Sequence, residues 1–97
     1  MNLDNKKVLI TGASGGIGSA ICDKFLNKKA VLILISSSDD KISLLKSKYG
    51  ENNFYYKVDL SDIDNIDNFT KEISSNHKDL SVIVNNAGIT DDSLILR

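Results

Sequence analysis

A short apolar stretch, residues 7–11, runs directly into Thr11-Gly12-Ala13-Ser14-Gly15-Gly16-Ile17-Gly18, after which Ile17, Ile21 and Phe25 recur every four residues. This strand, glycine turn and helix constrain the chain more than any other feature. Gly12 suits a positive φ at the strand end, Gly16 leaves backbone N–H groups open to an approaching phosphate, and Gly18 lets the helix lie close to the sheet. The amides at the start of the helix then face that phosphate. The spacing is neither G-x-G-x-x-G, because Ile21 stands where a third glycine is required, nor a P-loop, because Ile17-Gly18-Ser19 replaces Gly-Lys-Ser/Thr.

The rest of the chain repeats the alternation. Residues 30–35 form a continuous apolar run, the pattern of a strand covered on both faces in a parallel sheet. Residues 40–49 read as a helix stopped by Gly50, and residues 54–58 as a third strand. A third helix is expected from a Ser61 cap to about Asn76, with Asp62 and Asp64 in its first turn, and residues 81–85 read as a fourth strand. Four strands separated by three helices give, by crossover handedness, one α/β domain over residues 1–97. It is the N-terminal half of a Rossmann-like, doubly wound parallel sheet. Residues 93–97 read as the first turn of a further helix.

Composition narrows the function classes. Twelve basic against 13 acidic side chains, a net charge of -1, exclude an electrostatic nucleic-acid binder. The longest apolar run, residues 30–35, is far short of the roughly 20 residues that span a membrane. The first ten residues lack the pattern of a secretory signal, and the single cysteine, Cys22, forms no internal disulfide, so a cytoplasmic setting is expected.

The second chemical signal is Asn85-Asn86-Ala87-Gly88 at the end of the fourth strand, placed to face the glycine turn across the crevice at the carboxyl ends of the strands. Together TGASGGIG, NNAG and Asp59-Leu60 resemble the short-chain dehydrogenase/reductase family over the whole chain, and NNAGITDDSLILR is similar to the corresponding segment of bacterial 3-oxoacyl-(acyl-carrier-protein) reductases of fatty acid synthesis. The resemblance implies an NAD(P)-dependent oxidoreductase. It puts Gly12, Ala13, Ser14, Gly15, Gly16, Ile17 and Gly18 around the pyrophosphate and adjoining ribose, and Asp59 and Leu60 beside the adenine. Asn86, Ala87 and Gly88 would line the ribose nearer the nicotinamide, while Asn85 braces the strands. Ser36-Ser37-Ser38 stands where an NAD site needs a carboxylate, so Ser37, with Lys41 in reach, favours NADP over NAD, although Gly15 replaces an arginine frequent in phosphate-selecting members.

The family's catalytic serine, tyrosine and lysine lie beyond the N-N-A-G segment. Tyr49, Tyr55 and Tyr56 all precede it and are followed four residues later by Asn53, Asp59 and Leu60, so no catalytic residue and no metal site is assigned. The expectation is a cofactor-binding half, truncated or encoded by a split gene and inactive alone, that self-associates through its fourth strand or needs a complementary C-terminal fragment. A non-catalytic nucleotide- or protein-binding module and a degenerate gene product stay open beside it. His77, among Asn76, Lys78 and Asp79, reads as a solvated surface residue, and Cys22 as a small buried hydrophobe.

Overall fold

The structure, a computed structural model, describes residues 3–86. The expected helix start at residues 93–97 lies outside them, as do Ala87 and Gly88. The elements are β1 (Lys7–Thr11), α1 (Gly16–Asn27), β2 (Val31–Ser36), α2 (Asp39–Tyr49), β3 (Phe54–Lys57), α3 (Ile63–Asn76) and β4 (Leu80–Val84). All four strands are parallel in the order β3-β2-β1-β4. Every element expected from the sequence is present, with boundaries one or two residues away from those expected.

Burial on both faces explains the unbroken apolar strands. Val8, Ile10, Leu32 and Leu34 pack with Ala13, Cys22 and Leu45 under α1 and α2. Their neighbours in sequence, Leu9, Ile33 and Ile35, pack with Ile66, Phe69 and Ile73 of α3 on the opposite face. Side chains alternate across the sheet, so consecutive residues of one strand serve the two layers. The chain steps outward from β1 to β2 to β3, and α3 then returns it to the other side of β1. The reversal of strand order therefore lies between β1 and β4.

Two expectations about the helices need correction. Ser61 is not the cap of α3: the Asp62 carboxylate accepts from the backbone N–H of Asp64 (2.9 Å) and Asn65 (3.4 Å), so Asp62 is the N-cap and only Asp64 lies in the first turn. A carboxylate caps as well as a hydroxyl and adds a charge favoured by the helix dipole. Ile17 does not share the buried face of α1; it is 72% exposed, whereas Ile21 and Phe25 pack against the core. The first turn of α1 lies beyond the carboxyl ends of the strands, so Ile17 has no sheet beneath it.

Candidate functional site

The site is assembled at the carboxyl end of the sheet. Gly12 follows β1 at φ 66°, which turns the chain toward α1. The N-cap of α1 is Gly15, so no side chain caps its first amides. Gly18 is packed so tightly that a Cβ on it would lie 2.0 Å from the Gly12 carbonyl oxygen and 2.8 Å from the Ala13 Cα. A Cβ on Gly16 would meet no protein atom within 4 Å. The two glycines thus differ in what they leave room for: Gly18 admits the protein's own backbone, and Gly16 opens to the exterior.

Beside this turn lies a cleft of about 340 Å³ lined by Gly12, Ser14, Ile35, Ser36, Ser37, Lys41, Val58, Asp59, Leu60 and Ser61. Its walls come from the ends of β1, β2 and β3, so the sheet brings together five of the residues expected from sequence: Gly12, Ser14, Ser37, Asp59 and Leu60. Gly15, Gly16 and Ile17 stand exposed on the adjoining turn and helix start. Ala13 is instead buried in the core under α1.

Electrostatics in the cleft are set by short local bonds. The Asp59 carboxylate accepts from the Ser61 hydroxyl (2.6 Å) and the Ser61 N–H (3.0 Å), and these bonds hold its carboxyl below the usual carboxylate range. Asp39, the first acid after the serines, pairs with Lys57 at 3.2 Å and does not line the cleft. Lys41 does.

The carboxyl ends of β1 and β4 are tied through Thr11. Its hydroxyl donates to the Asn85 Oδ1 (3.0 Å) and accepts from the Asn86 N–H (2.8 Å), while the Asn86 side-chain amide reaches the Gly12 carbonyl at 3.4 Å. Asn85 and Asn86 thus fix the turn that holds Gly12. Thr11 and Ser61 escaped the sequence reading; the signal for Thr11 was its place at the end of the central strand, beside the reversal of order. Cys22 is buried as expected, and burial pushes its thiol pKa up, which makes it a poor nucleophile. Among the described residues no cluster of His, Cys, Asp and Glu could hold a metal ion, and no helix is long and apolar enough to cross a membrane.

A glycine turn opening a helix, set at the carboxyl ends of a parallel sheet beside its reversal of order, defines a Rossmann-like α/β protein. Residues 6–97 match the short chain dehydrogenase family, and the chain belongs to that family. It is 35% identical over its full length to the 3-oxoacyl-[acyl-carrier-protein] reductase FabG of Vibrio harveyi, covering 40% of that protein. To the FabG of Buchnera aphidicola from Acyrthosiphon pisum it is 32% identical over 99% of its length, covering 39% of that protein. A crystal structure of 2-keto-3-deoxy-D-gluconate dehydrogenase from Streptococcus agalactiae superposes with a TM-score of 0.75 at 31% identity, over 93% of this chain and 35% of that one. The chain therefore spans about two fifths of the length of the curated relatives it matches.

Proposed function

We propose that residues 1–97 are the dinucleotide-binding part of an NAD(P)-dependent carbonyl reductase of the 3-oxoacyl-(acyl-carrier-protein) reductase type, working in the cytoplasm. The observation that carries this reading is the cleft beside Gly12, open on the side where Gly16 lacks a Cβ. A nicotinamide dinucleotide bound there supplies hydride to a ketone. The chain's own residues hold and orient it: the uncapped amides of α1 and the turn of Gly12, Ala13, Ser14, Gly15, Gly16, Ile17 and Gly18 take the pyrophosphate. Asp59 and Leu60 flank the adenine, and Asn86, with Ala87 and Gly88, takes the nicotinamide-side ribose. Ser37 and Lys41 line the cleft while Asp39 is turned to Lys57, an arrangement that suits a 2′-phosphate better than a free ribose diol. NADP is accordingly the preferred dinucleotide. Within these 97 residues no tyrosine is followed four residues later by a lysine, so this part contributes binding and not proton transfer.

Calorimetric titration with NADPH and NADH tests the reading. Gly16→Ala places a methyl where no protein atom is met, so the fold is retained while affinity falls at least about tenfold, equivalent to ~1.4 kcal/mol. Lys41→Gln should weaken NADPH about fivefold with NADH unchanged, the worth of an exposed ion pair of ~1 kcal/mol. Unaltered binding in Gly16→Ala would overturn the assignment of the turn, and equal losses for both nucleotides in Lys41→Gln would overturn the NADP preference.

A further inference from the structure

At the opposite end of the sheet from the cleft, the structure corrects the reading of His77 as a solvated residue. Its neighbours Asn76, Lys78 and Asp79 are exposed, but its ring turns inward and the residue is only 3% exposed. Nδ1 lies 3.1 Å from the Lys7 Nζ at the start of β1, and Nε2 lies 2.7 Å from the Tyr56 hydroxyl of β3. The Phe54 ring packs edge-on at 4.5 Å between centroids. The main chain of His77 joins α3 to β4, its N–H donating to the Ile73 carbonyl (2.8 Å) and its carbonyl accepting from the Leu80 N–H (3.0 Å). One residue thus binds β1, β3, α3 and the start of β4.

We infer that His77 is a proton-operated latch: as neutral imidazole it ties the amino-terminal ends of β1 and β3 to the α3–β4 corner, and on taking up a proton it releases them. Hydrogen-bond accounting carries the inference. An ammonium has only donors, so Nδ1 facing Lys7 accepts, and the ring proton sits on Nε2 and is donated to the Tyr56 oxygen. A second proton must go to Nδ1, where it meets the donors of Lys7 head-on and leaves two cations side by side. The latch then opens.

The charged groups around the ring come from each element packed on it. Lys7 projects from β1, Tyr56 from β3, Glu72 from α3 and Asp79 from the corner, where it pairs with Lys7 at 3.1 Å; β4, Leu80–Val84, has no titratable side chain. Glu72 and Asp79 favour the imidazolium, but burial first and Lys7 second outweigh them and hold the pKa below its ordinary 6.5.

Because the native pKa lies below the unfolded one, the unfolded chain takes up the proton first. Stability is therefore full above about pH 6.5 and falls as the pH drops from there to the native pKa, by up to about tenfold in the folding constant per pH unit. His77 is the sole histidine, so this window is its own. Asp59 and Asp79, whose carboxyls are held below the ordinary 3.8, lose their contributions only in more acidic solution.

The test is urea unfolding of the 97-residue chain from pH 7.5 to 5, together with a proton NMR titration of the His77 ring. Expected are a folding constant that drops below pH 6.5, a ring pKa under 6.5, and faster amide exchange at Val8 and Leu80 at pH 5.5 than at pH 7 after correction for intrinsic rates. Lys7→Met should raise the ring pKa toward 6.5, and His77→Gln should abolish the drop. A wild-type folding constant that is flat over this range, a ring pKa of 6.5 or more, or no rise in Lys7→Met overturns the latch. The last two measurements decide even where His77→Gln does not fold.

Discussion

Thr11 fills two roles at the junction of the reversed strand order, as donor to Asn85 and acceptor for Asn86. Thr11→Val preserves the volume and the branching but leaves the buried Asn86 N–H without this partner, which should cost about 1–3 kcal/mol in urea unfolding. A smaller loss would mean that water replaces the hydroxyl. Gly18→Ala is the second residue-scale prediction. The added Cβ meets backbone at 2.0 Å, so the helix must move away from the turn, and a loss of ~3 kcal/mol is expected, at the upper end of overpacking costs. Gly16→Ala, by contrast, should leave the unfolding midpoint nearly unchanged, and a large shift there would show that the two glycines are not distinguished as the packing says. The sequence spacing marked both positions equally. Only the structure separates them, because what a missing Cβ leaves room for depends on which atoms approach from outside the local segment.

At the scale of elements, periodicity and punctuation were enough to place all seven, because each strand is covered on both faces and each helix has an apolar stripe. What escaped was decided by contacts distant in sequence or by one-residue geometry. His77 is buried by Lys7, 70 residues away, and nothing in Asn76-His77-Lys78-Asp79 signals it. The end of α1 holds a similar surprise. Lys29 lies at φ 66°, with its N–H on the Leu26 carbonyl (2.9 Å) and the Ala30 N–H on the Phe25 carbonyl (3.1 Å), the paired bonds of a Schellman motif. That position favours glycine, and the left-handed conformation costs a side-chain-bearing residue roughly 1–2 kcal/mol. Lys29→Gly is therefore expected to stabilise the chain by about 1 kcal/mol, less the added backbone entropy of the unfolded glycine; a loss of stability would mean that the lysine stem contributes packing. The cap of α3 gives the opposite sign. Asp62→Ala removes the acceptor of two helix-start amides and should cost ~1 kcal/mol, whereas Ser61→Ala should leave α3 capped and raise the Asp59 pKa instead.

For the molecule as a whole, the sheet order has a consequence for association. Among the described residues β4 pairs only with β1, while β1 and β2 each have two neighbours. Its sequence, Leu-Ser-Val-Ile-Val, carries none of the charges or prolines that normally blunt an edge, and Ile83 is 39% exposed. Next to it Leu9, Phe69, Ile73, Leu80 and Ile83 line an apolar hollow of about 140 Å³ between α3 and the sheet. An unpaired row of backbone donors and acceptors beside exposed aliphatic surface favours addition of another strand, from a second copy or from a complementary fragment. Sedimentation of the 97-residue chain should accordingly show a sedimentation coefficient that rises with concentration. Ile83→Lys puts a charge on the exposed face of β4 without touching the strand's inward residues, so it should shift the distribution toward monomer while the unfolding midpoint at low concentration stays within about 0.5 kcal/mol of wild type. The cleft at the carboxyl ends of β1, β2 and β3 is distant from this edge, and nucleotide affinity should be the same in both chains. A wild-type chain that remains monomeric at high concentration would show that β4 is covered by the chain's own residues, and would remove the case for a partner at this edge.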